Sequence, residues 1–241
     1  MSDFTLDELC VVACAEAFRG DGEILASPMG IIPQLGARLA QLTFAPDLLL
    51  TDGGARIVDA RGAAEGWLPY RAVFDLVWAG RRHVMMGAAQ LDPHGNHNIS
   101  CIGDHARPRA QLIGVRGAPG NTVNHATSYW VPAHTPRVFV PRVDAVCGIG
   151  ADRASALGRA GRFHDLRRVV TSKAVLELHD GTLRVRSLHP GVSLDDVQSA
   201  TGFPLAAAPD LTETRAPSSE ELVLIRELLD PQNLRRAELR S

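Results

Sequence analysis

Apolar residues recur along the chain with two alternating periods, one helical and one extended. Thr5-Leu-Asp-Glu8 has the spacing of a capping box, and Leu6, Leu9, Ala13 and Ala17 follow at helical intervals up to Gly20. Residues 23–26 read as a short strand ending at Ser27-Pro28. Ile32, Leu35, Gly36 and Leu39 form one face of a helix predicted over about 30–41. Residues 47–51 are an apolar run suited to a strand buried on both faces. A helical stretch over 70–79 leads into a strand at 83–86, and 111–115 and 137–140 read as further strands.

The last third changes character. Residues 167–171, 175–178 and 182–188 read as strands, the last two joined by Asp180-Gly181, a strong hairpin signal. Capped helices are predicted from Ser193 and from Ser218, with Glu221 as capping-box partner of the latter and Pro231 closing it. Strands alternating with helices predict an α/β fold with a largely parallel, mixed-edge sheet covered on both sides. The expectation is one domain over 1–241, with a βα-alternating core over about 1–165 and a mixed-sheet edge, hairpin and C-terminal helices over about 166–241.

Composition narrows the function. At 241 residues and 45% hydrophobic content the chain can bury a sizeable core. Its 25 Lys and Arg against 27 Asp and Glu give a net charge of −2, so neither nucleic acid nor an anionic membrane is expected as a partner. No stretch reaches the roughly 18 apolar residues of a membrane span, and the acidic start of the chain argues against a secretory signal. A cytoplasmic location is the default expectation. Cys10, Cys14, Cys101 and Cys147 form no C-x-x-C pair and read as buried free thiols.

Ligands of open α/β sheets bind where loops leave the carboxyl ends of parallel strands. Four such loops are rich in Gly or Asn: 27–30, 51–54, 87–98 and 114–121. Gly87, Ala88 and Ala89 offer small side chains and backbone N–H groups suited to an oxyanion. Asn96 and Asn98 alternate, so both could face a bound carbonyl or else stabilise the bend by Asx-turn bonds. Gln90 in the same loop and Asn121 in the next join them as substrate-binding candidates. His94 and His97, with Asp92 in the same tight turn, lack a third firm metal ligand, so no metal is expected. Arg116 follows the apolar run 112–115 inside a glycine-rich loop; its planar fork suits a substrate carboxylate, a phosphate or a structural carboxylate partner.

Gly87-Ala-Ala-Gln-Leu-Asp-Pro-His-Gly-Asn-His-Asn98 resembles the G-A-x-Q-V-D-x-x-G-N-x-N motif of class I CoA-transferase β subunits. Ser187-Leu-His-Pro-Gly-Val192 and Thr201-Gly-Phe203 match C-terminal signatures of that family in order and spacing. The resemblance implies a three-layer αβα CoA-transferase fold and an α subunit as partner, in a heterodimer or an α2β2 assembly. The family's transferases use a glutamate in an S-E-N-G motif; this chain has Thr51-Asp52-Gly53-Gly54, one methylene shorter. Residues 42–47, 81–83 and 114–130 resemble the divergent β subunits of bacterial steroid ring-cleaving CoA hydrolases, whose catalytic glutamate sits on the α subunit. That implies retro-Claisen opening of a steroid-derived acyl-CoA, with Arg116 on the substrate and loop 87–98 at the thioester. CoA is then part of the substrate, and no separate cofactor is expected. Two other readings are an acid:CoA transferase using Asp52 and a non-catalytic ligand-sensing domain.

Overall fold

The computed structural model describes residues 3–69, 71, 72, 75 and 81–239. Most of the helix predicted at 70–79 lies outside the described residues. The chain divides into two compact units, Met1–Gly87 with Thr214–Ser241, and Ala88–Glu213. The C-terminal segment belongs with the N-terminal unit, which a change of pattern near residue 165 does not suggest.

In the first unit α1 (Leu6–Glu16) opens with the predicted capping box, the Glu8 carboxylate accepting the Thr5 N–H at 2.9 Å. There follow β1 (Leu25–Pro28), α2 (Ile31–Thr43), β2 (Leu49–Thr51), β3 (Arg56–Val58), β4 (Ala64–Trp67) and β5 (Arg82–Gly87). The strand order is β5-β1-β2-β3-β4, with β1 parallel to both β5 and β2 and the β2-β3-β4 edge antiparallel. Strand β2 is not buried on both faces as expected: Leu50 is 1% exposed but Leu49 is 50% exposed. Gly36 lets α2 lie close on α1, since a Cβ there would sit 2.8 Å from the Cys14 Cβ and 3.0 Å from the Val11 carbonyl oxygen.

The C-terminal segment is fixed to α1 by charge. Arg235 is fully buried and pairs with Asp7 at 2.7 Å, Glu8 at 3.0 Å and Asp230 at 2.9 Å. A buried cation needs such partners, because isolated burial of its charge is costly. Helix Ser219–Val223 carries the predicted reciprocal cap between Ser218 and Glu221.

The second unit begins with short strand pairs, β6 (Gln90–Leu91) with β7 (His97–Asn98) and β8 (Cys101–Ile102) with β9 (Ala110–Gln111). Helix α3 (Ala118–Asn124), β10 (Ala126–Val131), α4 (Ala151–Ala156), β11 (Asp165–Thr171), β12 (Ala174–His179), β13 (Thr182–Leu188), α5 (Leu194–Ser199) and β14 (Ala206–Glu213) follow. The order is β14-β13-β12-β11-β10, parallel at β10-β11 and β13-β14 and antiparallel between. The Asp180-Gly181 hairpin is present, both residues having positive φ. Within this strand order two pairings are parallel and two antiparallel, so the sheet is mixed, as the expected fold class allows.

Two predicted strands are largely missing. Of residues 111–115 only Gln111 joins a ladder, opposite Cys101, while Ile113 and Val115 are 67% and 46% exposed. At 137–140 the N–H groups of Val138 and Phe139 both turn back to the Thr135 carbonyl, leaving a single bridge between Phe139 and Leu91. Short apolar runs do not separate a strand from a loop that packs one side chain. The second half of the 114–121 loop belongs instead to a helix, Ala118–Asn124, whose proline lies in the first turn, where a missing N–H is harmless.

The C-terminal signatures act in packing. His134 bridges the hydroxyls of Thr171 at 2.9 Å and Thr201 at 3.0 Å, and His189 donates to the Thr171 carbonyl at 2.8 Å. Burial, with Lys173 and His189 nearby, lowers His134 to about 3, so it is neutral. All four cysteines are buried and free, as expected.

Candidate active site

In the first unit, the loops after β1 and β2 meet. Gly53 has φ +80°, and a Cβ there would lie 2.6 Å from the Pro28 carbonyl oxygen, so only glycine allows the contact. Thr51, buried at the end of β2, bonds the Ala26 carbonyl at 3.3 Å and accepts the Gly53 N–H at 3.2 Å. Asp52 is exposed, but its Oδ1 accepts the N–H groups of Gly54 at 2.9 Å and Arg56 at 3.2 Å. Gln34, in the first turn of α2, donates to the Asp52 carbonyl at 3.2 Å. A small cavity of about 60 Å³ beside them is lined by Pro28, Gln34, Arg38, Thr51, Asp52 and Gly62.

Most of the polar side chains of loop 87–98 are turned inward. Asn98, 0% exposed, donates to Gln90 Oε1 at 2.7 Å and to the Cys101 carbonyl at 2.8 Å, and accepts the Ser100 N–H at 2.9 Å. Gln90 donates to Asp144 at 3.0 Å. Asn96 donates to Asp92 at 2.9 Å and Asp152 at 2.9 Å and accepts the Gly150 N–H at 2.8 Å. Gln90, Asn96 and Asn98 are thus buried with their hydrogen bonds filled from within the unit. That geometry runs against their expected role at the substrate, and at Asn98, whose Oδ1 accepts the N–H of Ser100 two residues on, it is the Asx-type alternative. Asp92, Asp144 and Asp152 supply the anionic acceptors, a role that no spacing along the sequence points to. Burial raises the Asp92 carboxyl above its ordinary value; hydrogen bonds from Asn96 and His94 oppose this, and the nearby Asp152 adds to it. Two residues of the metal motif are otherwise engaged: His94 Nδ1 lies 2.9 Å from the Gly181 carbonyl oxygen and Asp92 holds Asn96.

Of the three expected backbone donors, Ala89 gives its N–H to the Asn98 carbonyl at 3.0 Å, which removes it from an oxyanion role. Gly87 is exposed at the end of β5 and Ala88 is partly exposed. Asn121 lies buried in α3 rather than in a loop.

Arg116 stands apart. It is exposed, its φ is +50°, and it precedes Gly117, the residue that opens α3. Among the described residues it has no carboxylate within ion-pair distance. The buried strand expected before it is instead a loop with exposed Ile113 and Val115. A bulky residue in the left-handed region is strained, and such strain gathers at functional loops.

No protein-family model matches the chain. It is 52% identical over 247 residues to the cholesterol ring-cleaving hydrolase IpdB subunit of Rhodococcus jostii, covering 99% of this chain and 98% of that one. The chain belongs to the IpdB family of CoA-transferase-type β subunits. To the corresponding subunit of the 3-oxoadipate CoA-transferase of Pseudomonas knackmussii it is 30% identical over 95% of this chain and 94% of that one. It superposes on a chain of the crystal structure of Rhodococcus jostii IpdAB with a TM-score of 0.93, 52% identity and 99% coverage of both. The three-layer α/β CoA-transferase fold is therefore its fold, and the IpdB family is an enzyme-subunit family. Among the described residues no helix is long and apolar enough to cross a membrane.

Proposed function

We propose that this chain is the β-type subunit of a cytoplasmic, heteromeric hydrolase that opens a steroid-derived ring on a CoA thioester, its α-type partner supplying the general base. The observation that carries this reading is Asp52. It stands where the family's transferases carry a glutamate, its side chain is one methylene shorter, and Oδ1 is folded back onto two backbone N–H groups. A carboxylate so held shapes a loop better than it attacks a thioester, and a misplacement near 1 Å can cost about 100-fold in rate. Full-length similarity to a ring-cleaving hydrolase subunit supports the same choice.

In the reaction, water deprotonated by the partner's base bonds to a ring carbonyl carbon. The adjacent ring C–C bond breaks, and its electron pair passes to the carbon stabilised by a neighbouring carbonyl, which then takes a proton. The new carboxylate retains the water oxygen. Arg116, exposed and unpaired, is suited to the anion or to the developing oxyanion, and exposed Gly87 and Ala88 to the thioester.

The test is turnover of a steroid-derived ring-ketone CoA thioester by the chain alone and after assembly with an α-type partner. Only the assembly should turn over, with one solvent oxygen in the product. Turnover by the isolated chain would refute the division of labour. A covalent thioester on Asp52 trapped by borohydride would instead establish the transferase reading.

A further inference from the structure

Helix α2 begins directly after the 27–30 loop and lacks a local cap: Gly30 precedes it, no side chain of its own caps it, and its first turn holds no acid. Its leading N–H groups need acceptors, and its dipole favours an anion there. In many α/β folds a ligand phosphate fills that place. Here a residue some two hundred positions away does so. Ile31 donates its N–H to Glu238 Oε1 at 2.5 Å and Ile32 to Glu238 Oε2 at 3.0 Å. Gly30 leaves room for the carboxylate, since a Cβ there would be 2.9 Å from Glu238 Oε1. Three residues earlier Arg235 anchors the segment in its buried cluster with Asp7, Glu8 and Asp230.

The capped turn also holds the Asp52 loop. Gln34, whose own N–H bonds the Gly30 carbonyl at 3.1 Å, donates its side chain to the Asp52 carbonyl at 3.2 Å. The Pro28 carbonyl, two residues before Gly30, is the group against which Gly53 packs. We propose that Glu238 is a positioning residue: its carboxylate fixes the first turn of α2, and through Gln34 and Pro28 sets loop 51–54 for the reaction. The inference rests on the reading of loop 51–54 as facing substrate. It also means that this helix terminus is filled from within and does not hold a phosphate of CoA.

The experiment uses the assembled two-subunit enzyme with Glu238→Ala, Glu238→Gln, Gln34→Ala and the Glu238→Ala/Gln34→Ala double variant. Amide hydrogen exchange by mass spectrometry is read over peptides spanning 28–36 and 49–56, beside kcat, KM and assembly by gel filtration. Glu238→Ala should speed exchange in both peptides, and Gln34→Ala in 49–56 alone. Glu238→Ala should lower kcat by about 10- to 100-fold with KM little changed. Glu238→Gln, which keeps one acceptor, should fall between. Because the two residues act along one path, the double variant should be no worse than the more damaging single one. Unchanged exchange at 49–56 in Glu238→Ala, and in Glu238→Gln should the former fail to assemble, overturns the proposal whatever the activity. Strictly multiplicative losses in the double variant do the same. Faster exchange at 49–56 with normal kcat would leave the hold on the loop standing and sink the reading of that loop as substrate-facing.

Discussion

Asn98 donates its side-chain N–H to Gln90 Oε1 at 2.7 Å, and Gln90 donates in turn to Asp144 at 3.0 Å. Two residues of the loop motif that resembles the family's therefore face each other inside the protein. Asn98→Ala should leave buried acceptors unpaired and destabilise the fold by about 1–3 kcal/mol. The KM of the assembled enzyme should move little. Urea unfolding beside steady-state kinetics checks this; a normal unfolding midpoint with a raised KM would make Asn98 a substrate group instead.

Arg116 should show opposed effects on stability and activity. Its φ of +50° costs a non-glycine residue about 1–2 kcal/mol, so Arg116→Gly should raise the thermal midpoint. The same change removes the guanidinium and should lower kcat/KM about 10- to 150-fold, the equivalent of a charge-assisted hydrogen bond. Arg116→Lys should be nearly as damaging, because lysine keeps the charge and loses the fork. Wild-type kcat/KM in Arg116→Gly would remove the residue from the substrate.

Asp52→Asn keeps an oxygen that can accept from Gly54 and Arg56, so the loop should persist and hydrolysis should survive in the assembled enzyme. Complete loss of turnover with an intact assembly would show that the charge itself is needed, as the transferase route demands.

Gly53→Ala meets two obstacles, a φ of +80° and a Cβ 2.6 Å from the Pro28 carbonyl. The backbone alone costs about 1–2 kcal/mol, and relief of the contact must move Asp52. Turnover should fall while the rest of the fold holds, as read by kinetics and circular dichroism. Wild-type turnover would mean that loop 51–54 need not keep its position.

Acid should weaken the fold through two groups. Burial alone would raise Glu8, but bonds from Arg226 and Thr5 take it from 4.5 down to about 2. Its stabilisation is thus present above about pH 4.5 and lost as pH falls towards 2. His134 is held neutral down to about 3 against an ordinary 6.5, so the unfolded chain gains a proton first, and stability falls from about pH 6.5 downward. Urea midpoints between pH 3 and 7 should drop toward acid. His134→Gln should flatten the slope at pH 4–6 and Glu8→Gln the slope below about 4.5; slopes equal to wild type would contradict the assignment.

Local signals were legible in the sequence because their physics is local. The capping boxes at Thr5, Ser193 and Ser218, the Asp180-Gly181 hairpin and the helix over Ile31–Thr43 each depend on residues a few positions apart. The spaced motifs also carried the family, since their order survives without knowledge of contacts. Tertiary structure decided which polar residues of those motifs face inward. Asn96 and Asn98 read equally well as ligands or as turn formers until Asp92, Asp152 and Gln90 are seen beside them. Loop 112–115 is apolar enough for a strand, yet beyond the Leu112 N–H, which bonds the Ser100 carbonyl, it joins no ladder, and Ile113 and Val115 stay exposed. The union of Arg235 with Asp7 and Glu8, and of Glu238 with Ile31 and Ile32, joins the two ends of the chain. Such contacts are set by how the helices pack, and no periodicity along the sequence encodes them.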